Sequence, residues 1–167
     1  MSKEVIIFLD IDGVLQVDYG EKDEFGHLFK QSYVENLDFI IEKTNAKIVI
    51  SSSWGDSGMT VIQELWKKRN LPGIVIGIIP DVKSVAEKTG LEFYELVDRG
   101  HQIQQYINDN KISNYCIIDD FDDVLESQKH RFVKTSENNH PDATKGYGLT
   151  KNCSKKVIEI LTKKTAD

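Results

Sequence analysis

Two aspartates separated by one residue, Asp10 and Asp12, directly follow the apolar run Val5–Leu9 and precede Gly13. Like charges this close repel each other, so the pair needs a cation, a shared proton or exposure to solvent. A hard cation such as Mg²⁺ prefers oxygen ligands of this kind. One carboxylate could then attack phosphorus, while the second, which points to the same side of an extended chain, could exchange a proton with the leaving oxygen.

Polar residues also follow two later apolar runs. Ser51 and Ser52 come directly after Lys47–Ile50, and a cluster of aspartates that begins at Asp119 comes after Tyr115–Ile118. The carboxyl ends of parallel strands lie at one edge of a sheet, where ligands of open α/β proteins bind. Arg99, about a helix's length before Asp119, adds a cation that could reach that edge. The sequence therefore predicts a phosphate-binding and metal-binding site there.

The elements that would position these residues form an α/β pattern, in which short β-branched runs alternate with segments of helical period. The predicted strands are Val5–Leu9, Lys47–Ile50, Ile74–Ile78, Tyr115–Ile118 and Arg131–Lys134. Helices are predicted over 32–45, 59–70 and His101–Asn110, and after Thr150. The polar stretch Gln16–Gln31 predicts a hairpin or flap, Asp81–Asp98 a partly helical segment, and Ser136–Gly148 an exposed loop.

Composition narrows the class of protein. The 167 residues, 40% of them apolar, predict one domain over 1–167. A formal net charge of -6 disfavours wholesale binding of nucleic acid or of an anionic membrane. No run approaches the roughly 20 apolar residues that cross a bilayer. Cys116 and Cys153 lack the spacing of a metal site, so we expect structural thiols without a disulfide, in a soluble cytoplasmic protein.

The motifs together resemble those of a known superfamily. "FLDIDGVL" resembles the first motif of haloacid dehalogenase (HAD) phosphohydrolases, "IVISS" the second and "IIDDFDD" the acidic fourth. With "ISSSW", "VIGIIP", "DRGHQI", "FVKT" and "GLT", the chain is similar to the small capless HAD domains of bacterial and phage RNA-repair proteins of the Swiss Army Knife type. The resemblance implies a Rossmann-like fold, with a central parallel five-stranded sheet in the order 5-4-1-2-3, helices on both faces, a flap after strand one and no large cap.

The resemblance also implies roles for the acidic residues. Asp10 would be the nucleophile that forms an aspartyl-phosphate, and Asp12 would be the general acid and base. The metal would be Mg²⁺, bound by Asp10, by the backbone carbonyl of Asp12 and by Asp119. Asp120 and Asp123 would position the ion or its waters.

Further roles concern the phosphoryl group. Ser51 would donate a hydrogen bond to it, with Ser52 as the neighbouring candidate. Arg99 would be the stabilising cation, with Lys83 and Lys145 as open alternatives.

Two residues near the same edge could line the substrate, namely Gly13, where the chain turns, and Trp54. Relatives often carry Arg after Ser-Ser-Trp, whereas this chain has Gly55.

These features predict a Mg²⁺-dependent phosphatase that acts through an aspartyl-phosphate. An open site without a cap suits the end of a nucleic acid, a nucleotide or a phosphoprotein. The alternatives are a receiver-like phosphoacceptor module and a catalytically silent HAD-like binding domain. A receiver would carry its acceptor aspartate after the third strand, and a silent domain has no need of both Asp10 and Asp12. A halide leaving group would need no acid at Asp12, which disfavours dehalogenation.

Overall fold

The central feature of the fold is a five-stranded parallel sheet. A computed structural model of the chain describes residues 3–90, 96–136 and 147–164. The strands are β1 (Val5–Leu9), β2 (Lys22–Asp23), β3 (Gly26–His27), β4 (Lys47–Ile50), β5 (Val75–Ile78), β6 (Asn114–Asp119) and β7 (Phe132–Lys134). The order across the sheet is β5-β4-β1-β6-β7, which confirms the predicted α/β fold and its strand order.

Helices connect and cover these strands. They are α1 (Gln31–Thr44), α2 (Met59–Lys68), α3 (Val82–Thr89), α4 (Arg99–Asn110) and α5 (Lys151–Thr162). Local capping fixes several of their ends: Asp81 Oδ1 accepts a hydrogen bond from Ser84 N–H at 2.8 Å at the start of α3, and Thr150 Oγ1 accepts one from Cys153 N–H at 3.3 Å at the start of α5. None of the described helices has the length and apolarity that crossing a membrane requires.

Strand β1 is buried on both faces. Its alternate residues Ile7 and Leu9 pack in the layer that contains α1, α2 and α5, whereas Ile6 and Phe8 pack in the layer that contains α4. All four side chains have no exposed surface. Each such burial stabilises the fold by about 1.5–3 kcal/mol, so β1 is a rigid support for the residues that follow it. The thiols of Cys116 and Cys153 are free and buried.

The insertion between β1 and α1 contains the predicted hairpin. Strands β2 and β3 pair antiparallel and form a hairpin over Lys22–His27. We refer to this hairpin as the flap. Each of its strands has only two residues, which is too short for a hairpin to be stable by itself. The predicted helical segment after Asp81 is α3, whereas most of the predicted loop Ser136–Gly148 lies outside the described residues.

Candidate active site

Three carboxylates meet where β1 and β6 end. Asp10 directly follows β1, Asp119 ends β6 and Asp120 comes next. Asp10 N–H donates to the carbonyl of Ile118 at 3.0 Å, which holds the two strand ends in register. One carboxylate oxygen from each aspartate lies within 4.8 Å of the others. The parallel topology thus brings together residues that are far apart in the sequence.

This group is electrostatically costly without a cation. Asp10 is 8% exposed and Asp119 is 5% exposed. Burial, followed by the negative charge of Asp119, raises the pKa of Asp10 to about 9. Burial also raises the pKa of Asp119 to about 6, although the hydrogen bond from Phe121 N–H to its Oδ1, at 3.0 Å, opposes this. Three converging carboxylate oxygens whose charges repel one another are suitable ligands for a hard divalent cation such as Mg²⁺.

Gly13 allows the third carboxylate to approach. Its φ of +81° lies in the region that favours glycine, and a Cβ there would lie 2.2 Å from Asp120 Oδ2. Its carbonyl accepts a hydrogen bond from Thr135 Oγ1 at 2.8 Å. Asp120 Oδ2 also accepts one from the hydroxyl of Tyr147 at 3.2 Å. Gly13 therefore lies against the carboxylate of Asp120.

The two serines after β4 differ in what their hydroxyls bind. Ser52 Oγ accepts a hydrogen bond from Trp54 N–H at 3.2 Å and caps the 3₁₀ helix Ser53–Ser57. Ser51 Oγ is buried and has no hydrogen-bond partner among the described residues. A buried hydroxyl without a partner is costly unless a ligand satisfies it. The role of either serine at a phosphoryl group stays a prediction.

Arg99 supplies a positive charge beside the carboxylates. It is the first residue of α4, and its Nη1 lies 4.0 Å from Asp10 Oδ1 and donates to the carbonyl of Ser51. Of the alternative cations, Lys83 is exposed in the first turn of α3, and Lys145 lies outside the described residues. Among the described residues, Arg99 is the cation that the ion-pair geometry places beside Asp10.

Two of the predicted metal ligands lie outside the three-carboxylate group. The Asp12 side chain is exposed, and its Oδ1 accepts a hydrogen bond from Trp54 Nε1 at 3.1 Å. Asp123 Oδ2 accepts one from Arg99 N–H at 3.3 Å, at the start of α4. Neither carboxylate belongs to the convergent group, and the contribution of the Asp12 backbone carbonyl stays a prediction.

Sequence reasoning missed several side chains that contact the site. The Tyr147 hydroxyl reaches Asp120, 27 positions earlier, and Thr135 reaches the carbonyl of Gly13 across 122 positions. The hydrogen bond from the Trp54 indole N–H to Asp12 has no local signal either, and the predicted place of Trp54 beside the substrate stays a prediction. No local pattern marks such partners, since they depend on which loops the sheet brings together.

Comparison with known proteins identifies a family for most of the chain. The family model described as "HAD domain in Swiss Army Knife RNA repair proteins" matches residues 6–139. This range includes Asp10, Ser51, Arg99 and Asp119. Comparisons with curated proteins and with solved structures give no significant match.

Proposed function

Because this chain belongs to the family of HAD domains found in Swiss Army Knife RNA repair proteins, we propose that it is a Mg²⁺-dependent phosphatase that hydrolyses phosphomonoesters. Membership in the family indicates a phosphoryl-transfer hydrolase with catalysis based on aspartate. The observation that carries the proposal is the convergence of Asp10, Asp119 and Asp120 oxygens within 4.8 Å at the end of the sheet.

In the proposed reaction, Asp10 is the nucleophile and Asp12 moves the proton. A carboxylate oxygen of Asp10 bonds to phosphorus as the ester bond breaks, and the protonated Asp12 carboxyl donates its proton to the departing alcohol. Asp12 then takes a proton from water, which attacks the aspartyl-phosphate, releases phosphate and restores Asp10. Burial of Asp10 beside Asp119 supports this role, because a poorly solvated carboxylate has little water to displace before it attacks.

Asp10, Asp119 and Asp120 would hold the Mg²⁺ ion. When bound, the ion supplies positive charge that offsets the repulsion among the carboxylates and between them and the phosphoryl oxygens. The Asp12 carbonyl and Asp123 stay predicted contributors, the latter through the waters of the ion.

Ser51 and Arg99 would hold the phosphoryl group. The unpartnered Ser51 hydroxyl would donate a hydrogen bond to a phosphoryl oxygen, which satisfies a buried polar atom. The Arg99 guanidinium, 4.0 Å from Asp10, would offset the charge that builds up during transfer. Gly13 and Ser52 would border the substrate, and Trp54 would act through Asp12.

The substrate would enter over an open cleft. A cavity of about 640 Å³, lined in part by Ser52, Pro80, Arg99 and Gln102, adjoins the phosphate position. Such a cleft accommodates one unit of a larger molecule. The description of the family, which names RNA repair, favours a phosphorylated end of a nucleic acid over a nucleotide or a phosphoprotein. Because the net charge is -6, such a polyanion would have to be bound locally.

A receiver-like acceptor is less well supported. It would need an acceptor aspartate directly after β5, where Ile79 and Pro80 stand. The next acid, Asp81, is occupied in capping α3.

The test is hydrolysis of 4-nitrophenyl phosphate, nucleotides and 3′- or 5′-phosphorylated oligonucleotides, with MgCl₂ or with EDTA. We expect phosphate release that requires Mg²⁺ and that is abolished in Asp10→Asn. Asp38→Asn, at an exposed position on α1, is the matched surface control. Absence of Mg²⁺-dependent release from all of these substrates would contradict the proposed function.

A further inference from the structure

Arg69 binds the flap from the end of α2. Its Nε and Nη2 donate to the two Asp23 carboxylate oxygens at 2.9 and 2.6 Å. Its Nη1 and Nη2 also donate to the carbonyls of His27 and Gly26, at 3.1 and 3.0 Å. The Arg69 side chain is only 7% exposed, and its hydrogen bonds lower the pKa of Asp23 to about 2. One guanidinium therefore fixes both strands of a hairpin that is too short to hold its own shape.

The same guanidinium and the flap enclose Trp54. The Arg69 Cζ atom lies 4.6 Å from the centroid of the Phe29 ring and 5.6 Å from that of the Trp54 ring. The Phe29 and Trp54 rings meet edge to face at 5.3 Å. A Cβ on Gly26 would lie 3.1 Å from Trp54 Cη2, so the flap backbone closely approaches the indole. These contacts restrict the orientation of the Trp54 ring.

Trp54 in turn orients the proposed acid. Its Nε1 donates to Asp12 Oδ1 at 3.1 Å, although the Asp12 side chain is exposed. An indole N–H can only donate, so the oxygen that it binds must act as an acceptor. Oδ1 is thereby engaged, which fixes the orientation of the Asp12 carboxyl group. An exposed carboxylate without this bond would be free to adopt other rotamers.

We propose that Arg69 and Trp54 are positioning residues for Asp12, acting through a continuous chain of contacts from α2 to the flap, to the indole and to the carboxyl group. This inference rests on the proposed function, because it assigns Asp12 the delivery of a proton to the leaving oxygen. Neither residue touches the reacting atoms. Their loss would leave nucleophilic attack by Asp10 in place and impair protonation of the leaving group.

The first test uses leaving groups of different acidity. Phenyl phosphate and 4-nitrophenyl phosphate are similar in size, but the phenolate needs protonation far more than the nitrophenolate does. In Trp54→Phe and Arg69→Lys, we expect kcat/KM for phenyl phosphate to fall at least about tenfold further than kcat/KM for 4-nitrophenyl phosphate. Lysine keeps the positive charge of Arg69 but lacks the planar guanidinium N–H groups that donate to several acceptors at once.

Arg131→Lys is the matched control. Arg131 is also partly buried, donates to Asn114 Oδ1 at 2.9 Å and lies over the Tyr115 ring, at the opposite end of the sheet. We expect its substitution to leave the ratio between the two substrates unchanged. Equal losses on both substrates in Trp54→Phe and Arg69→Lys would overturn the inference, because a general loss of structure affects both alike.

The second test does not depend on activity. The indole N–H resonance of Trp54 is identified by its absence from the ¹H–¹⁵N spectrum of Trp54→Phe, and Trp66, which donates to the carbonyl of Pro72 at 2.9 Å, provides an internal reference. We expect Asp12→Asn and Arg69→Lys to shift the Trp54 resonance and to leave that of Trp66 in place. An unmoved Trp54 resonance in Arg69→Lys would overturn the inference, whether or not the parent protein is active. Absence of phosphate hydrolysis by the parent protein would instead refute the proposed function.

Discussion

Replacing Asp10 with asparagine will stabilise the metal-free protein at neutral and mildly alkaline pH. The cause is the buried pair that Asp10 forms with Asp119. Burial and the neighbouring charge raise the pKa of Asp10 to about 9, far above its value in an unfolded chain, which is about 3.9. Ionisation of Asp10 therefore costs free energy in the folded state that it does not cost in the unfolded state.

The sign of the pH dependence follows from proton binding. The folded state holds the Asp10 proton more tightly, so the stabilising contribution of that proton is complete below the unfolded pKa and is lost as the pH rises toward the folded pKa. One proton changes the free energy of unfolding by about 1.4 kcal/mol per pH unit, which gives at most about 4 kcal/mol between pH 5 and pH 8. Water near the open end of the sheet reduces the total change in the free energy of unfolding to about 2 kcal/mol. For a chain of this length, that corresponds to a change of about 4–8 °C in Tm.

The assay is thermal unfolding followed by circular dichroism in EDTA from pH 5 to pH 8. We expect the Tm of the parent to fall over this range. The Tm of Asp10→Asn should fall mainly below about pH 6, where Asp119 loses its proton, and stay nearly constant from there to pH 8. Addition of MgCl₂ should raise the Tm of the parent most at pH 8, and that of Asp10→Asn much less.

The control for this experiment is Asp81→Asn. The hydrogen bond from Ser84 N–H lowers the pKa of Asp81, so its contribution is complete above the unfolded pKa and constant between pH 5 and pH 8. Asparagine caps helices about as well as aspartate, so this variant should follow the parent. A parent Tm that does not change between pH 5 and pH 8, or an Asp10→Asn variant with the slope of the parent, would refute the reasoning.

Two further pairs of substitutions test the phosphate site and the carboxylate group. Ser51→Ala should lower kcat/KM by roughly tenfold or more, and it should raise the free energy of unfolding by up to about 1 kcal/mol because it removes a buried hydroxyl that has no partner. Ser52→Ala should instead lower the free energy of unfolding by about 1 kcal/mol as a lost cap. Full activity in Ser51→Ala would remove the serine from the phosphate site. Gly13→Ala should weaken Mg²⁺ binding, measured by calorimetric titration, by about tenfold or more because its Cβ would overlap Asp120. Gly90→Ala, at a φ of +72° with open space around it, should keep that affinity, and equal effects of the two glycine variants would contradict the assignment.

Much of the fold was predictable because its signals are local. Strands buried on both faces appear in the sequence as continuous apolar runs, as in Val5–Leu9 and Lys47–Ile50, and the order of the strands follows from the family resemblance. The meeting of Asp10 with Asp119 was predictable too, since both follow parallel strands whose carboxyl ends share one edge.

Other parts of the site could not be predicted, because they depend on contacts between distant loops. Arg69 contacts Asp23 across 46 positions, and nothing in the sequence near either residue indicates the other. The different surroundings of the two serine hydroxyls could not be predicted either: Ser52 Oγ accepts a hydrogen bond from Trp54 N–H, whereas Ser51 Oγ has no partner among the described residues. Periodicity predicts which residues are buried, but it does not predict the polar partner that a side chain selects.

The most direct test of the central claim is to trap the covalent intermediate. The protein would be mixed with Mg²⁺ and excess 4-nitrophenyl phosphate, quenched in acid within milliseconds, and digested for peptide mass spectrometry. We predict a phosphoryl group on Asp10 that is absent without Mg²⁺ and absent from Asp10→Asn. Mg²⁺-dependent turnover with the phosphoryl group on another residue, or undiminished turnover by Asp10→Asn, would contradict an aspartyl-phosphate mechanism at this site.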